Sequence, residues 1–332
     1  MRSLTRLVRP AAAAAMAVAA LSLTPIAASA QSYPAHPIRL IVGFPPGGIN
    51  DLVARIVAPS LSDSLGQPIV IENRPGAGGT IGANTVAKAN PDGYTLLLGS
   101  VSNLAMAPSQ YKDLPYDPNK DFAPVALVAA SPNILVVPND SPIHSVKDLI
   151  ALAKKQPGRI TYASAGNGTS NHLTVELLKT MAGIDLVHVP YRGDALGMTE
   201  VLAGRIQMMF PTLPVALPQI KAGGLRGIAV SSPKRSVLIP EIPTVAESGD
   251  LPEFAVSVWV GILAPAGTSP EIVGRLNAEI NKALALSTVR EQLAAQAAEP
   301  ASAGEPKDFA SYLAAETKKW GEIAKSSGIT PN

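Results

Sequence analysis

The sequence predicts an α/β fold in which mixed, mostly parallel sheets are flanked by helices. Short apolar runs alternate along the chain with longer segments of helical periodicity, which is typical of sheets covered on both faces. Hydrophobic residues make up 47% of the 332 residues, enough to bury the cores of two lobes. The chain has no cysteine, so core burial rather than disulfide bonds must hold it together.

The first 30 residues predict a secretory signal peptide. Three arginines within the first nine residues precede an apolar stretch over 11–23, and Ala28-Ser29-Ala30 matches a small-residue cleavage signal. The apolar stretch is shorter than the roughly 20 residues that a membrane-spanning helix needs. We therefore expect a mature chain that begins at Gln31, is exported to the periplasm and does not insert into the membrane.

The charge balance excludes several classes of partner. The whole chain has 27 basic and 25 acidic residues, and removal of the three signal-peptide arginines leaves 24 basic against 25 acidic residues. A nearly neutral protein has no electrostatic basis for binding nucleic acid or an anionic membrane surface. We expect neither partner, and we expect a monomer.

The predicted elements follow in chain order. Apolar runs bounded by turn residues predict strands at 39–44, 68–72, 94–99, 125–129, 133–137, 160–162, 186–189, 206–210, 225–230 and 255–263. Apolar residues with a period near 3.6 predict helices at 51–65, 81–89, 145–155, 171–181, 195–203, 215–221, 270–285, 287–297 and 306–326. Two stretches, 129–137 and 229–233, could carry the chain out of one lobe and back, which would make a double hinge.

Several predicted helices begin at recognisable caps. Ser145 stands three residues before Asp148, which is the spacing of a capping box. Ser269 precedes Pro270, and proline fits the first helical position because its missing N–H has no partner there anyway. Asp194 directly precedes a predicted helix, so we interpret it as an N-cap; the alternative is an acceptor for a ligand ammonium group or for water.

Three loops share one design, in which a strand ends, small residues follow and a helix begins. Backbone N–H groups at such helix starts have no intrahelical partner, and the helix dipole favours an anion there. The first loop lacks the Lys-Ser/Thr of a nucleotide-binding loop and the G-x-G-x-x-G of a dinucleotide fold, which leaves a carboxylate as the anion. Each loop could instead be only a tight connection. The candidate ligand-binding residues from these loops are Gly47, Gly48, Asn50, Asp51, Ser100, Ser102, Asn103, Ala165, Gly166, Asn167 and Thr169.

Three further candidates, and Asp51 from the first loop, each have two alternative roles. Phe44 either stacks on the ligand or closes the core. Arg192 either neutralises a second carboxylate across the cleft or pairs with a surface acid. His172 either lies near the ligand or is a structural histidine. For Asp51, a pairing with Arg55 at i,i+4 in the first turn is favoured over a place in the cleft.

Several segments, in this order and spacing, resemble the periplasmic substrate-binding proteins of tripartite tricarboxylate transporters, also called the Bug family. The resemblance covers nearly all of the mature chain and rests on the segments 42–48 (VGFPPGG), 72–79 (ENRPGAGG), 91–96 (PDGYTL), 162–166 (YASAG), 189–193 (VPYRG) and 243–247 (PTVAE).

The resemblance implies a type II-like clamshell that binds a small carboxylate, such as a di- or tricarboxylate, an acidic amino acid or an aromatic acid, and delivers it to a membrane permease. Residues 31–131 plus 232–332 would form one lobe and residues 132–231 the other. No cofactor is implied. Asn50 and Asp194 depart from the residues expected in the family, where a small hydroxyl or Ala and a Ser or Asn are usual, and the departure at Asn50 is expected to affect ligand choice.

Two other functions compete with transport. A ligand-sensing module that signals to a membrane sensor would have the same sequence features. An exported enzyme on the same fold would need catalytic groups, but the chain has no G-x-S-x-G elbow and its four histidines show no metal-ligand spacing. We therefore expect a binding protein without catalytic or metal-binding residues.

Overall fold

The computed structural model describes residues 33–326, so the predicted signal peptide at 1–30 lies outside the described residues. The chain forms two units with a boundary between Ala35 and His36. Every strand and helix named here belongs to the unit that begins at His36.

The first sheet has six strands in the spatial order β11-β4-β10-β3-β1-β2. Its strands are β1 (Ile38–Val42), β2 (Ile69–Asn73), β3 (Thr95–Ser100), β4 (Phe122–Pro132), β10 (Ser257–Pro265) and β11 (Glu299–Pro300). β1 pairs in parallel with β2 and β3, whereas β10 runs antiparallel to β3 and β4 and β11 runs antiparallel to β4. β1 is apolar except for Arg39, as expected for a strand in a covered sheet, and Ile38, Leu40, Ile41 and Val42 are fully buried.

The second sheet has five strands in the order β7-β6-β8-β5-β9. Its strands are β5 (Ile134–Pro138), β6 (Thr161–Ser164), β7 (Val187–Pro190), β8 (Met208–Met209) and β9 (Leu225–Val230). β6 is parallel to β7 and β8, and β5 is antiparallel to β8 and β9. Both sheets are therefore mixed, as predicted, with a larger antiparallel share than the alternation of strands and helices suggested.

Ten α-helices flank the sheets within the described residues. They are α1 (Ile49–Leu65), α2 (Thr80–Ala87), α3 (Val146–Lys155), α4 (Ser170–Ala182), α5 (Asp194–Leu202), α6 (Leu213–Lys221), α7 (Val245–Gly249), α8 (Pro270–Ala285), α9 (Ser287–Ala295) and α10 (Pro306–Ser326). None of them is both long enough and apolar enough to cross a membrane.

The chain passes between the sheets at two points that lie side by side. β4 ends at Pro132 and β5 begins at Ile134, so the first passage is at Asn133. The second passage begins at Ser231, directly after β9, where the chain leaves the second sheet. Ser231 donates its N–H to the Asn133 carbonyl at 2.8 Å and accepts the Asn133 N–H on Oγ at 2.9 Å. Ser231 also donates from Oγ to the Val256 carbonyl at 2.7 Å. The lobe boundaries at 131/132 and 231/232 stay a prediction.

Two predicted helix caps are confirmed, and a third is wrong. Ser145 accepts the Asp148 N–H, and Ser269 accepts the N–H of the third residue of α8. Asp194 is not an N-cap: it is the first residue of α5, and Gly193 holds the cap position without a side-chain hydrogen bond. The Asp194 carboxylate instead accepts a hydrogen bond from Asn171, a tertiary contact that outweighs the local one.

Two strand lengths differ most from the prediction, and the two-residue strand β11 was not predicted. Pro124 and Pro132 limited the predicted strand to 125–129, but β4 extends over both because it pairs along its length with β10 and is irregular around residue 125. The predicted strand at 206–210 shrinks to β8, because the chain then turns toward Thr212, the N-cap of α6.

Candidate functional site

The candidate site is a cleft between the two sheets, and its widest part is a cavity of about 950 Å³, here called the large cavity. Loops after β1 and β2 form one wall, and loops after β3 contribute Gln110 and Tyr111. The opposite wall comes from the loop after β6, from one face of α4 and from the segment 191–193 after β7. Strand ends of both sheets therefore face one space, as ligand sites of open α/β sheets do.

A second cavity of about 130 Å³, the small cavity, lies beside the first. The first turns of three helices line it: α1 through Gly48, Ile49 and Asn50, α4 through Ser170 and Asn171, and α5 through Asp194 and Ala195. Thr212, the N-cap of α6, lines it as well. The cavities adjoin, because Phe44, Pro45, Ala165, Thr169, Arg192 and Gly193 line both.

The helix starts present unused hydrogen-bond donors. Within residues 33–326, the backbone N–H groups of Gly48, Ile49 and Asn50 at α1 donate no hydrogen bond, nor do those of Asn171 and His172 at α4. Together with the helix dipoles, these amides favour an anion at this end of the cleft.

Asp51 supports the first loop rather than lining a cavity. Its carboxylate accepts hydrogen bonds from the Gly47 N–H at 3.0 Å, from Asn73 Nδ2 at 3.0 Å and from Arg55 at 2.9 Å through two nitrogens. Burial alone would raise the pKa of Asp51, but the hydrogen bonds from Arg55, Gly47 and Asn73 outweigh it and hold that pKa below its usual value. The predicted pairing with Arg55 is confirmed. Because Gly47 has a positive φ of 87°, this anchoring also fixes a turn that favours glycine.

Ser100 and Asn103 also support the site from behind. They cap a π-helical segment, Val101–Met106, that takes the place of the predicted loop: Asn103 Oδ1 accepts the Ser100 N–H at 2.8 Å and the Ser100 hydroxyl at 3.4 Å. Asn103 Nδ2 donates to the Gly79 carbonyl, and Tyr116 donates its hydroxyl to the Asn103 carbonyl. Both side chains are fully buried and are not among those that line the two cavities.

Ser102 and Thr169 do reach the cleft. Ser102 lines the small cavity and accepts the Ser170 N–H on Oγ at 3.1 Å, a hydrogen bond that joins the first-sheet side to the second-sheet side. Thr169 lines both cavities, but its hydroxyl donates to the Gly166 carbonyl at 2.8 Å, so it can offer a ligand only an acceptor.

Phe44 lines both cavities, as expected of a ligand contact, and its ring also packs against the backbone of Gly79, as expected of a core residue. A Cβ atom at Gly79 would lie 2.8 Å from Phe44 Cζ, and Gly79 has a φ of 92°. Glycine at 79 therefore makes room for the ring. Ala165, Gly166 and Asn167 form the facing wall of the large cavity.

His172 lines the large cavity and belongs to a stack of rings. Its ring lies 4.1 Å from that of His188, which stacks on Tyr162 at 4.8 Å, and its Nδ1 accepts the Gly168 N–H at 3.3 Å. Burial lowers the pKa of both histidines, to about 4 for His188. At neutral pH the pair is uncharged, which leaves Arg192 as the cation among the residues that line the cavities.

Arg192 and Asp194 both line the small cavity and lie two residues apart, where the chain enters α5. Arg192 is exposed, lines both cavities and has no ion-pair partner in the described part of the chain. Asp194 is half-buried at the small cavity, with Oδ1 accepting Asn171 Nδ2 at 3.0 Å and Oδ2 lying 3.9 Å from a Cβ atom built on Gly48. Burial raises the pKa of Asp194 to about 6, and the Asn171 hydrogen bond offsets only part of that effect.

The sequence interpretation missed several lining residues. The loop over 76–79 borders the large cavity, and its glycine run between a strand and a helix has the same design as the three loops that were singled out. Glu176 lies one turn after His172 on α4, so helical spacing could have found it. No sequence signal marks Tyr111, Tyr191 or Thr212 as cleft residues, because only the packing of separate segments brings them there. Within residues 33–326, no three His, Asp or Glu side chains are grouped as metal ligands.

The two-sheet architecture and the cleft between the strand ends define a two-lobed solute-binding protein. More particularly, the chain belongs to the tripartite tricarboxylate transporter receptor family, whose sequence model matches residues 53–329. Receptors of this family are periplasmic solute-binding proteins rather than enzymes.

Individual relatives agree along nearly their full length. The chain is 40% identical to protein BugT of Bordetella pertussis over 301 residues, covering 90% of this chain and 92% of BugT. Rpa4515 of R. palustris, solved with adipate, superposes with a TM-score of 0.86 at 37% identity, covering 90% of this chain and 100% of that one. MatC from Rhodopseudomonas palustris, solved with bound malate, superposes with a TM-score of 0.83 at 32% identity, covering 88% and 100%.

Proposed function

We propose that this protein captures a small carboxylate in the cleft between its sheets and delivers it to a membrane permease. The observation that carries the proposal is the pairing of unused amides at the starts of α1 and α4 with a cation, Arg192, that has no ion-pair partner in residues 33–326. Amides of this kind bind one carboxylate, and the guanidinium binds a second one or steers the first into the cleft.

Relatives support the choice of ligand class. Rpa4515 was solved with adipate and MatC with malate, and both are dicarboxylates. A cavity of about 950 Å³ is ample for a molecule of that size.

We also propose how the whole molecule is exported and how its two lobes exchange the ligand. Residues 1–30 direct export and are removed, residues 31–131 with 232–332 form one lobe, and residues 132–231 form the other. The lobes open at the paired crossings near Asn133 and Ser231 to admit the ligand and close over it. The closed monomer is the form that the permease recognises.

The residues that we propose for ligand contact divide by role. Gly47, Gly48, Ala165, Gly166 and Asn167 let the backbone approach the ligand, Phe44 packs against it, and Asn50, Ser102, Thr169, His172, Arg192 and Asp194 supply polar groups. Asp51, Ser100 and Asn103 hold the loops in place.

The test is a thermal-unfolding and calorimetric screen with succinate, malate, glutarate, adipate, citrate and benzoate. A ligand at about 100 times its Kd stabilises the folded state by about 2.7 kcal/mol, so at least one acid should raise Tm clearly. Arg192→Gln should weaken the best dicarboxylate about tenfold or more, because a charge-assisted hydrogen bond is lost.

The matched control is Arg290→Gln, which removes an exposed arginine from α9, outside both cavities. It should leave affinity unchanged. A flat Tm across the whole panel would refute carboxylate capture, and equal losses in the two variants would refute the role of Arg192.

A further inference from the structure

The small cavity is richer in hydrogen-bond acceptors than a site for a carboxylate alone would be. Asp194, Asn50 and Thr212 all line it, and they come from three different helix starts. Asn50 and Thr212 are 5% and 3% exposed, and Asn50 Oδ1 and Thr212 Oγ1 have no hydrogen-bond partner in the described chain. A buried polar atom without a partner is costly, so two such atoms beside Asp194 at one cavity indicate that a bound group supplies their partners.

Asp194 adds a negative charge to this group. Within residues 33–326 it forms no ion pair, and its one side-chain partner is the neutral amide of Asn171. Arg192, two residues earlier, lines the same cavity but forms no ion pair with Asp194. A partly desolvated carboxylate without a cation is unfavourable, and a cationic ligand group would compensate it.

The acceptors lie next to the amides that favour an anion. Gly48 and Asn50 belong to the α1 start with its unused N–H groups, and Gly48 is the residue that Asp194 Oδ2 faces. One end of the cleft thus offers donors for a carboxylate and acceptors for a neighbouring donor group. The chemical unit that carries both on adjacent atoms is the head group of an α-amino acid, with its carboxylate and its protonated amine.

We infer that Asp194, Asn50 and Thr212 form an ammonium subsite that makes this receptor prefer amino-carboxylates to the matching carboxylates without the amine. This inference rests on the proposed function, because it specifies which carboxylate the same cleft selects. Asp194 is the specificity-determining residue, Asn50 and Thr212 complete the set of acceptors, and the large cavity takes the remainder of the ligand beside Arg192.

The experiment compares matched pairs that differ only by the amine. Binding of succinate against L-aspartate, glutarate against L-glutamate, and adipate against L-2-aminoadipate is measured by calorimetry on the full mature chain. In the wild-type protein the amino member of the best pair should bind about tenfold or more tightly, as expected for a charge-assisted hydrogen bond in a buried site.

Asp194→Asn keeps the shape of the side chain and removes its charge. It should abolish the preference by weakening the amino member of each pair much more than the plain dicarboxylate. Thr212→Val, which replaces an unpartnered buried hydroxyl with an isosteric methyl, should reduce the preference about threefold and carries the test if Asp194→Asn does not fold. Asp63→Asn, at an exposed position near the end of α1, is the control and should leave the preference unchanged.

The outcomes separate the two proposals. A wild-type protein that binds dicarboxylates with no amine preference would overturn the ammonium subsite, with water as the partner of the acceptors, and would leave carboxylate capture standing. A preference that persists in both Asp194→Asn and Thr212→Val would also overturn it. If no member of any pair binds, the ammonium subsite falls, and carboxylate capture falls with it only if malate, citrate and benzoate also leave Tm flat.

Discussion

Asp51 and Asp194 each lie in the first turn of a helix beside the cleft, and their surroundings give them opposite roles. Arg55, Asn73 and the Gly47 amide hold Asp51 ionised and support its loop. Asp194 has only Asn171 as a side-chain partner, and burial raises its pKa to about 6. Local sequence makes both residues helix-start acids, and only their partners distinguish a support from a ligand contact.

The role of Asp51 predicts a loss of stability in Asp51→Asn. The substitution weakens the two hydrogen bonds from Arg55 and the one from Gly47, and we expect a loss of about 2 kcal/mol in the free energy of unfolding. Urea unfolding at pH 7 measures it. Arg55→Gln should cost a comparable amount, because it leaves the Asp51 carboxylate, whose side chain is 4% exposed, without its cation.

The same residue predicts a pH dependence. Because the pKa of Asp51 is lowered from 3.8 in the folded state, its contribution is complete above that value and is lost as pH falls through the lower folded pKa. Between about pH 5 and about pH 7 the Asp51 carboxyl group is ionised in both the folded and the unfolded state, so the stability difference between wild type and Asp51→Asn should be constant there. Below about pH 4 the difference should shrink. A difference that grew on acidification would contradict this assignment.

Among the elements, the glycine loops set how closely the backbone approaches the cleft. Gly79 has a φ of 92°, and a Cβ atom there would lie 2.8 Å from Phe44 Cζ. Gly79→Ala should therefore destabilise the protein by about 1–3 kcal/mol through strain at positive φ, and it should weaken carboxylate binding by displacing Phe44.

Gly274→Ala is the matched control for that substitution. Gly274 lies inside α8 with no atom within 4 Å of a built Cβ, so alanine should stabilise the helix by about 1 kcal/mol. Thermal unfolding of both variants, with the binding screen, checks the pair. If Gly79→Ala were as benign as Gly274→Ala, the close packing of Phe44 on the loop would have no energetic weight.

Most element types could be predicted from sequence, because apolar period and cap chemistry are local properties. The capping serine of α3 and the Ser269-Pro270 start of α8 belong to that group. The π-helical segment Val101–Met106 does not, since it depends on Asn103 reaching Gly79 across 24 residues of chain. β4 likewise exceeds its predicted length because β10 pairs with it.

For the whole molecule, ligand exchange should require separation of the two sides of the cleft. A Cβ atom built on Gly193 would lie 3.8 Å from Pro45 Cβ, which is within the range of about 3.5–4.5 Å for disulfide-bonded residues. In this cysteine-free chain, Pro45→Cys with Gly193→Cys should form one disulfide that holds the sides together. The oxidised variant should take up and release a carboxylate at least about tenfold more slowly than the reduced one, as expected when binding needs a conformational change.

The reduced double variant is the control, because it carries the same strain from a cysteine at the positive φ of Gly193, which is 107°. Stopped-flow measurement of uptake in both redox states compares them directly. Equal rates would mean that the ligand enters without any opening between residues 45 and 193.

The sequence by itself determined the α/β class, the helix starts that offer free amides, the absence of cysteine and the family to which the chain belongs. These properties are written in neighbouring residues, where period, caps and glycine content act locally. Only the tertiary structure decided which candidates border the cavities: it moved Asp51, Ser100 and Asn103 into supporting positions and brought Asp194, Asn50 and Thr212 to one small space. The reason is physical, since burial and hydrogen-bond partners depend on which segments pack together. The partners of Asp51 and Asn103 come from neighbouring strands and loops, whereas Asn50 lies more than a hundred residues from Asp194 and Thr212 in the chain.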